Sequence, residues 1–225
     1  MSLESVEKIE CPKCGKKGDY TIWESLNTAI NPEMKSKVMD GSIFKFTCPH
    51  CHEVTNIFWG FIYHQMEDSF MIDLCTDDGV DEQIAIINNI KGGYIKELGA
   101  NPTEGYTNRI VTSQNDLREK IFIFDAGLDD HVIEIMKMYM ISTLNSNNPD
   151  MNVTSLLLEI EADKVPRSFA VFNDKGYVGT TEYAQDLYDG IKESIVDKMD
   201  ISDDDYIIDS NWAYDSFEKF KSRSK

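Results

Sequence analysis

The sequence predicts an α+β protein: an N-terminal, zinc-ribbon-like antiparallel β module followed by a mixed α/β region. Three observations predict it. Short segments of β-branched and aromatic residues, separated by turn residues, fill the first 75 positions. Two matched Cys-Pro-Xaa-Cys units, Cys11-Pro12-Lys13-Cys14 and Cys48-Pro49-His50-Cys51, lie among those segments. After Asp77-Asp78-Gly79 the apolar spacing becomes helical. A boundary is therefore expected there, with the ribbon-like module over 1–76 and an acidic α+β region over 77–225, free to pack together as one unit.

In the first module, Asp19 to Asn27 alternates β-branched and aromatic side chains as a strand does. Asn31-Pro32-Glu33-Met34 offers a cap, a proline at the first helical position and an acid in the first turn, and Gly41 supplies a stop. A short helix follows from that. Ser42 to Thr47, Val54 to Phe61 and Ser69 to Leu74 read as further strands. Together they predict a small antiparallel sheet carrying two cysteine turns.

In the second region, Gln83 to Ile90 has helical spacing, interrupted by Lys91-Gly92-Gly93, and residues 91–105 predict no element. A strand around Arg109 to Thr112 leads into Ser113-Gln114-Asn115-Asp116, a helix cap, and a helix over Leu117 to Phe124. The helix that begins at Asp129-Asp130 carries apolar residues at Val132, Ile133, Ile135, Met136, Met138, Tyr139, Met140 and Ile141. They circle most of its surface, which predicts burial on more than one side and makes the methionines core filler. Val153 to Ile160 and Phe169 to Phe172 read as strands, with Asn173-Asp174-Lys175-Gly176 a hairpin turn before Tyr177-Val178. A helix over Tyr183 to Met199, an exposed turn at Asp203-Asp204-Asp205 and a last helix over Asp209 to Lys221, packed through Trp212 and Phe217, complete the chain.

Composition narrows the function classes. The chain has 225 residues and 22 basic against 40 acidic side chains, for a net charge of −18. Residues 1–60 are close to neutral, with seven lysines against eight acids, so nearly all of the excess lies beyond them. Such a surface repels phosphate backbones, and solubility is its simplest use. No run approaches the roughly 20 apolar residues that cross a bilayer. The opening residues are polar and acidic, unlike a secretory leader, so a cytoplasmic location is expected.

The cysteines carry the sharpest signal. Each Cys-Pro-Xaa-Cys unit is a tight turn that aims two sulfurs at one point, and 33 residues separate Cys14 from Cys48. Four thiolates converging from two such turns suit one structural zinc, with Cys11, Cys14, Cys48 and Cys51 as ligands. Gly15 is placed to take the positive φ that such a turn requires, and His52 occupies the matching place in the second turn. The rival reading is a redox dithiol, which needs a helix to open at the pair and lower a thiol pKa. Here glycine, lysines and a strand follow Cys14, and the zinc reading explains four of the five cysteines at once. His50 and His52 stand near the site, yet four sulfurs already complete a shell; Cys75, at the end of an apolar strand, reads as a buried thiol.

The two cysteine units, the segment Ile22-Trp23-Glu24-Ser25-Leu26-Asn27 and the continuation from Asp40 to Cys48 resemble the CpXC family of bacterial and archaeal proteins. A later stretch, Arg109 to Ser113 and on through Gly127 to Glu134, is also similar to that family, so the resemblance covers roughly the first 60% of the chain. It implies the four cysteines as shared ligands and carries no catalytic residue.

No phosphate-cradling glycine loop, His-Glu-x-x-His helix or Gly-x-Ser-x-Gly elbow occurs in the sequence. Asp77-Asp78 and Asp129-Asp130 are paired acids in a chain rich in acids, and helix capping accounts for Asp129. His64 and His131 read as lone core or surface histidines, and Arg109 as an ion-pairing residue on a central strand. The leading expectation is a zinc-stabilised protein-interaction or scaffolding module with an unidentified protein partner. Two other readings stand beside it. One is a nucleic-acid-associated ribbon using Lys13, Lys16, Lys17 and Tyr20; the other is an enzyme whose pocket lies within 77–225.

Overall fold

A computed structural model describes residues 2–92, 105–159 and 161–223. The chain forms two compact units, Met1–Arg118 and Glu119–Lys225.

In the first unit, β1 (Leu3–Glu10) and β2 (Lys17–Asn27) form a hairpin, and β2 then lies parallel to β5 (Phe61–Gln65). β5 pairs antiparallel with β6 (Phe70–Leu74), and β6 pairs parallel with β7 (Thr107–Val111), in the order β1-β2-β5-β6-β7. The sheet is therefore mixed, where the sequence predicted an antiparallel one. The cause is the connection from β2 to β5, which detours through α1 (Met34–Met39) and a separate hairpin of β3 (Lys45–Thr47) and β4 (Val54–Asn56). A crossover of that length permits parallel pairing. The antiparallel expectation holds for the two hairpins that carry the cysteines. The sheet also draws its last strand from beyond residue 76, past the turn at Asp77–Gly79 and the helix α2 (Val80–Gly92).

Local departures have local reasons. A tight turn, in which the Asn27 carbonyl accepts the amides of Ile30 and Asn31, delays α1 to Met34. Ser42–Phe44 forms a single 3-10 turn before β3, and Gly41 takes φ 73° at its start. β1 has no counterpart in the sequence reading. Its residues are exposed on both faces apart from the half-buried Ser5 and Ile9, so it lacks the apolar alternation that marks a half-buried strand. The core is legible in the alternation of β5 and β6: Phe61, Tyr63, Phe70, Ile72 and Leu74 are all buried. Each such side chain contributes about 1.5–3 kcal/mol by leaving water.

α3 (Gln114–Asp125) begins in the first unit and ends in the second. Its predicted cap is present, with Ser113 Oγ accepting the Asp116 amide at 3.0 Å. The second unit contains the antiparallel sheet β10-β9-β8, formed by β8 (Val153–Leu158), β9 (Ser168–Asn173) and β10 (Gly176–Glu182). Asn173 pairs with Gly176 across the predicted turn, and Gly176 sits at φ 115°. Three helices accompany the sheet: α4 (Asp130–Asn147), α5 (Gln185–Ser194) and α6 (Ser210–Arg223). α6 packs on α4 through the expected aromatics, Trp212 on His131 at 4.8 Å and Phe217 on Tyr139 at 5.7 Å between ring centroids.

Every residue of α4 from Val132 to Lys137 is buried, as its encircling apolar pattern predicts, but so is a charged stripe at Asp130, Glu134 and Lys137. Lys120 of α3 lies 3.0 Å from Asp130 and 3.3 Å from Glu134 and donates to the Ile208 carbonyl at 2.6 Å. Lys137 bridges Glu134 at 2.8 Å and Glu119 at 3.0 Å, while Glu119 also accepts the Leu158 amide at 2.6 Å. Burial pushes the Glu119 carboxyl up despite the neighbouring Lys137. Burial likewise opposes the Lys137 charge, but the two glutamates outweigh it and hold its pKa above the ordinary value.

Candidate metal centre

The first cysteine pair lies in the turn between β1 and β2, and the second in the turn between β3 and β4. The two turns repeat one hydrogen-bond pattern. Cys11 N–H donates to the Lys16 carbonyl and Cys48 N–H to that of Glu53, both at 2.9 Å. The Gly15 amide returns to Cys11 O at 2.9 Å, and the His52 amide to Cys48 O at 3.0 Å. Gly15 and His52 take φ 68° and 58°, the left-handed conformation expected at those two places. Each turn thus folds its cysteines inward by the same local rule, and histidine accepts in the second turn what glycine accepts in the first.

Packing sets one turn against the other. A Cβ on Gly18 would stand 2.6 Å from Pro49 Cδ and 3.0 Å from Phe46 Cζ, so the second turn rests on the first hairpin where that side chain is missing. Lys13 reaches Glu53 at 2.7 Å, and the His50 ring meets the Lys17 carbonyl at 3.3 Å. Cys11, Phe46 and Cys48 form a small buried core with Ile9, Tyr20, Cys51 and Ile57 around it. Phe46 and Trp59 meet Tyr20 edge-on, Phe44 meets Trp59, and the Trp59 indole donates to the Trp23 carbonyl at 2.8 Å. The ribbon is tied to the sheet by this row of aromatic rings.

The result is a four-sulfur cluster. Cys11 Sγ lies 3.6 Å from Cys51 Sγ, Cys14 Sγ lies 3.7 Å from Cys48 Sγ, and all four fall within 4.8 Å of one another. Those separations are far above a disulfide bond of about 2.05 Å. They match the edge of a tetrahedron of sulfurs set about 2.3 Å from a central zinc, which is about 3.8 Å. The cluster is compatible with one metal ion. Its electrostatics agree: burial opposes ionisation of Cys48, but the His50 and Cys51 amides with the Cys14 and Cys51 thiols bring it down to about 6. At Cys51 the Glu53 amide favours the thiolate, yet burial and the three neighbouring sulfurs push it up to about 12. Ionisation of all four sulfurs at these separations is opposed by their mutual repulsion, which a cation at their centre would relieve.

The other residues singled out in the sequence do not join the cluster. Cys75 is a buried thiol, as expected, and burial raises its pKa ahead of the influence of Asp73. His64 lies between Asn27 at 3.4 Å and the Tyr106 hydroxyl at 3.2 Å. Asp129 caps α4 through the His131 amide, and its carboxylate also meets His131 Nδ1 at 2.8 Å. Asp129, Asp130 and His131 form a second group close enough to share an ion, but Lys120 already neutralises Asp130. Arg109 is buried on β7, an edge strand of the sheet where a central one was expected, with its guanidinium on the Asn108 carbonyl at 2.9 Å. Tyr20 donates to the Ile43 carbonyl and burial pushes its hydroxyl up to about 12, while Lys13 pairs with Glu53. Of the set proposed to hold nucleic acid, those two are thus engaged within the ribbon. Gly18, not among the residues singled out in the sequence, belongs to the site as well, and a glycine inside a strand is a sequence sign of close backbone approach.

Fold and site together define a four-cysteine ribbon protein. A protein-family model described as CpXC protein matches residues 9–137, more than half of the chain and both cysteine turns. The chain belongs to the CpXC family. No match was found among curated proteins or solved structures.

Proposed function

We propose that Cys11, Cys14, Cys48 and Cys51 hold one structural zinc ion, and that the folded ribbon serves a protein-interaction or scaffolding role. The observation that carries the metal assignment is the pair of Sγ separations, 3.6 and 3.7 Å, which match a tetrahedral zinc tetrathiolate. Four protein sulfurs fill a tetrahedral shell, leaving no position for water or substrate, so such an ion organises structure and does not catalyse. A binding free energy of about 10–16 kcal/mol, typical of sites of this kind, is comparable to the whole stability of a domain. The scaffolding role draws support from the near-neutral first 60 residues beside an acidic remainder, a division suited to a protein partner.

Two measurements test the two parts. Metal analysis of reduced, purified protein is expected to find one zinc per chain, and cobalt substitution to give the absorption of a tetrahedral four-thiolate centre. Metal-free protein with a native fold contradicts the assignment. Affinity capture under native conditions is expected to retain a stoichiometric protein partner, and repeated blank captures contradict the scaffolding role.

A further inference from the structure

β1 is the outer strand of the five-stranded sheet, and among the described residues no strand pairs with its free side. Its pairing with β2 fixes which main-chain groups face outward. Cys11 N–H points into the hairpin, to Lys16 O, and the register Ile9↔Gly18, Glu7↔Tyr20, Ser5↔Ile22 continues from it. Antiparallel strands alternate bonded and non-bonded pairs, so residues 5, 7 and 9 turn their N–H and C=O inward. Glu4, Val6, Lys8 and Glu10 turn theirs outward. Val6 is also one of the more exposed large apolar side chains, at 66%.

We propose that this edge pairs with the β1 edge of a second copy, antiparallel about a two-fold axis at Val6, joining two five-stranded sheets into one. The register follows from charge. An axis at Val6 sets Val6 against Val6, Glu4 against Lys8 twice, and Ser5 against Glu7 twice, so no like charges meet. Moving the axis to Glu7 opposes Glu7 to itself and Glu4 to Glu10; moving it to Lys8 opposes two lysines; moving it to Ser5 shortens the overlap and leaves Glu4 against Val6. In the Val6 register the outward N–H and C=O groups of Val6, Glu4 and Lys8 all find partners. Lys8, whose exposed ion pair with Asp19 is weakly held, gains a second carboxylate. The edge lies within the first 60 residues, whose seven lysines nearly balance eight acids. The pairing rests on the geometry of β1, independently of what the four cysteines hold.

The test is the oligomeric state of the full chain by light scattering and sedimentation, with circular dichroism and metal content measured on the same samples. Wild type is expected to be a dimer. Lys8→Glu places carboxylates face to face and is expected to raise the dimer dissociation constant about tenfold or more. Val6→Pro removes the N–H at the axis without touching the hairpin, since that N–H points outward, and is expected to give monomer with an unchanged spectrum. Glu4→Lys combined with Lys8→Glu restores opposite charges and is expected to restore the dimer. A wild-type monomer throughout the micromolar range overturns the proposal, as does a dimer indifferent to Val6→Pro. A Lys8→Glu monomer that the double substitution leaves monomeric overturns the register.

Discussion

Gly18 holds the two cysteine turns together by having no side chain. The Pro49 ring occupies the space where its Cβ would stand, at 2.6 Å, and ring and backbone on both sides are held by hairpins. Gly18→Ala is expected to destabilise the metal-loaded protein by about 1–3 kcal/mol, read by urea unfolding. Asp73 shows the opposite balance. It is 6% exposed on β6, and burial alone pushes its carboxyl from 3.8 up to about 6. A carboxyl raised in the folded state binds its proton more tightly there. Its contribution to stability is therefore complete below the unfolded pKa and lost as pH rises through about 6. Asp73→Asn is expected to stabilise the protein at pH 7 by roughly 1–3 kcal/mol and to change little at pH 4, a difference that paired denaturant titrations resolve. At this scale, Gly15 and His52 were legible because their backbone angle is dictated by the turn they close. The Gly18 seat was not, because Pro49 reaches it only after the chain has folded back.

The charged stripe of α4 is where element-level reading and structure part. Asp130, Glu134 and Lys137 recur at helical spacing, a pattern that ordinarily marks a solvent face. Here Glu119 and Lys120 come from α3, and the chain at Leu158 and Ile208 supplies main-chain partners, so the stripe is buried within a network of two lysines, three carboxyls and main-chain groups. Periodicity locates a stripe but does not reveal what waits opposite it. Lys137→Met removes the cation between Glu119 and Glu134 and is expected to cost about 3–5 kcal/mol, because the buried Glu119 loses its lysine and Glu134 is left with Lys120 alone. Equilibrium unfolding measures that loss; an unchanged midpoint would mean that water reaches the network. Caps and turns, by contrast, are dictated locally. Asp129, Ser113 and the Asn173–Gly176 turn all act as their sequence predicts, since each is settled within a few residues.

Across the molecule, the α+β class and the four-cysteine cluster follow from local spacing, and the strand order does not. β2 and β5 run parallel because the long excursion that carries the second cysteine turn separates them, and β7 joins the sheet from beyond the expected boundary. That excursion is what brings Cys48 and Cys51 back to Cys11 and Cys14. On the proposed assignment the ion bonds the two hairpins together, and without it four thiols at these separations cannot all ionise. Hydrogen exchange before and after removal of the metal by a chelator reads this directly. The amides of Cys11, Gly15, Cys48 and His52 are expected to lose protection together as zinc leaves and to regain it on readdition. Retention of that protection in fully metal-free, reduced protein would contradict a ribbon folded around one metal ion.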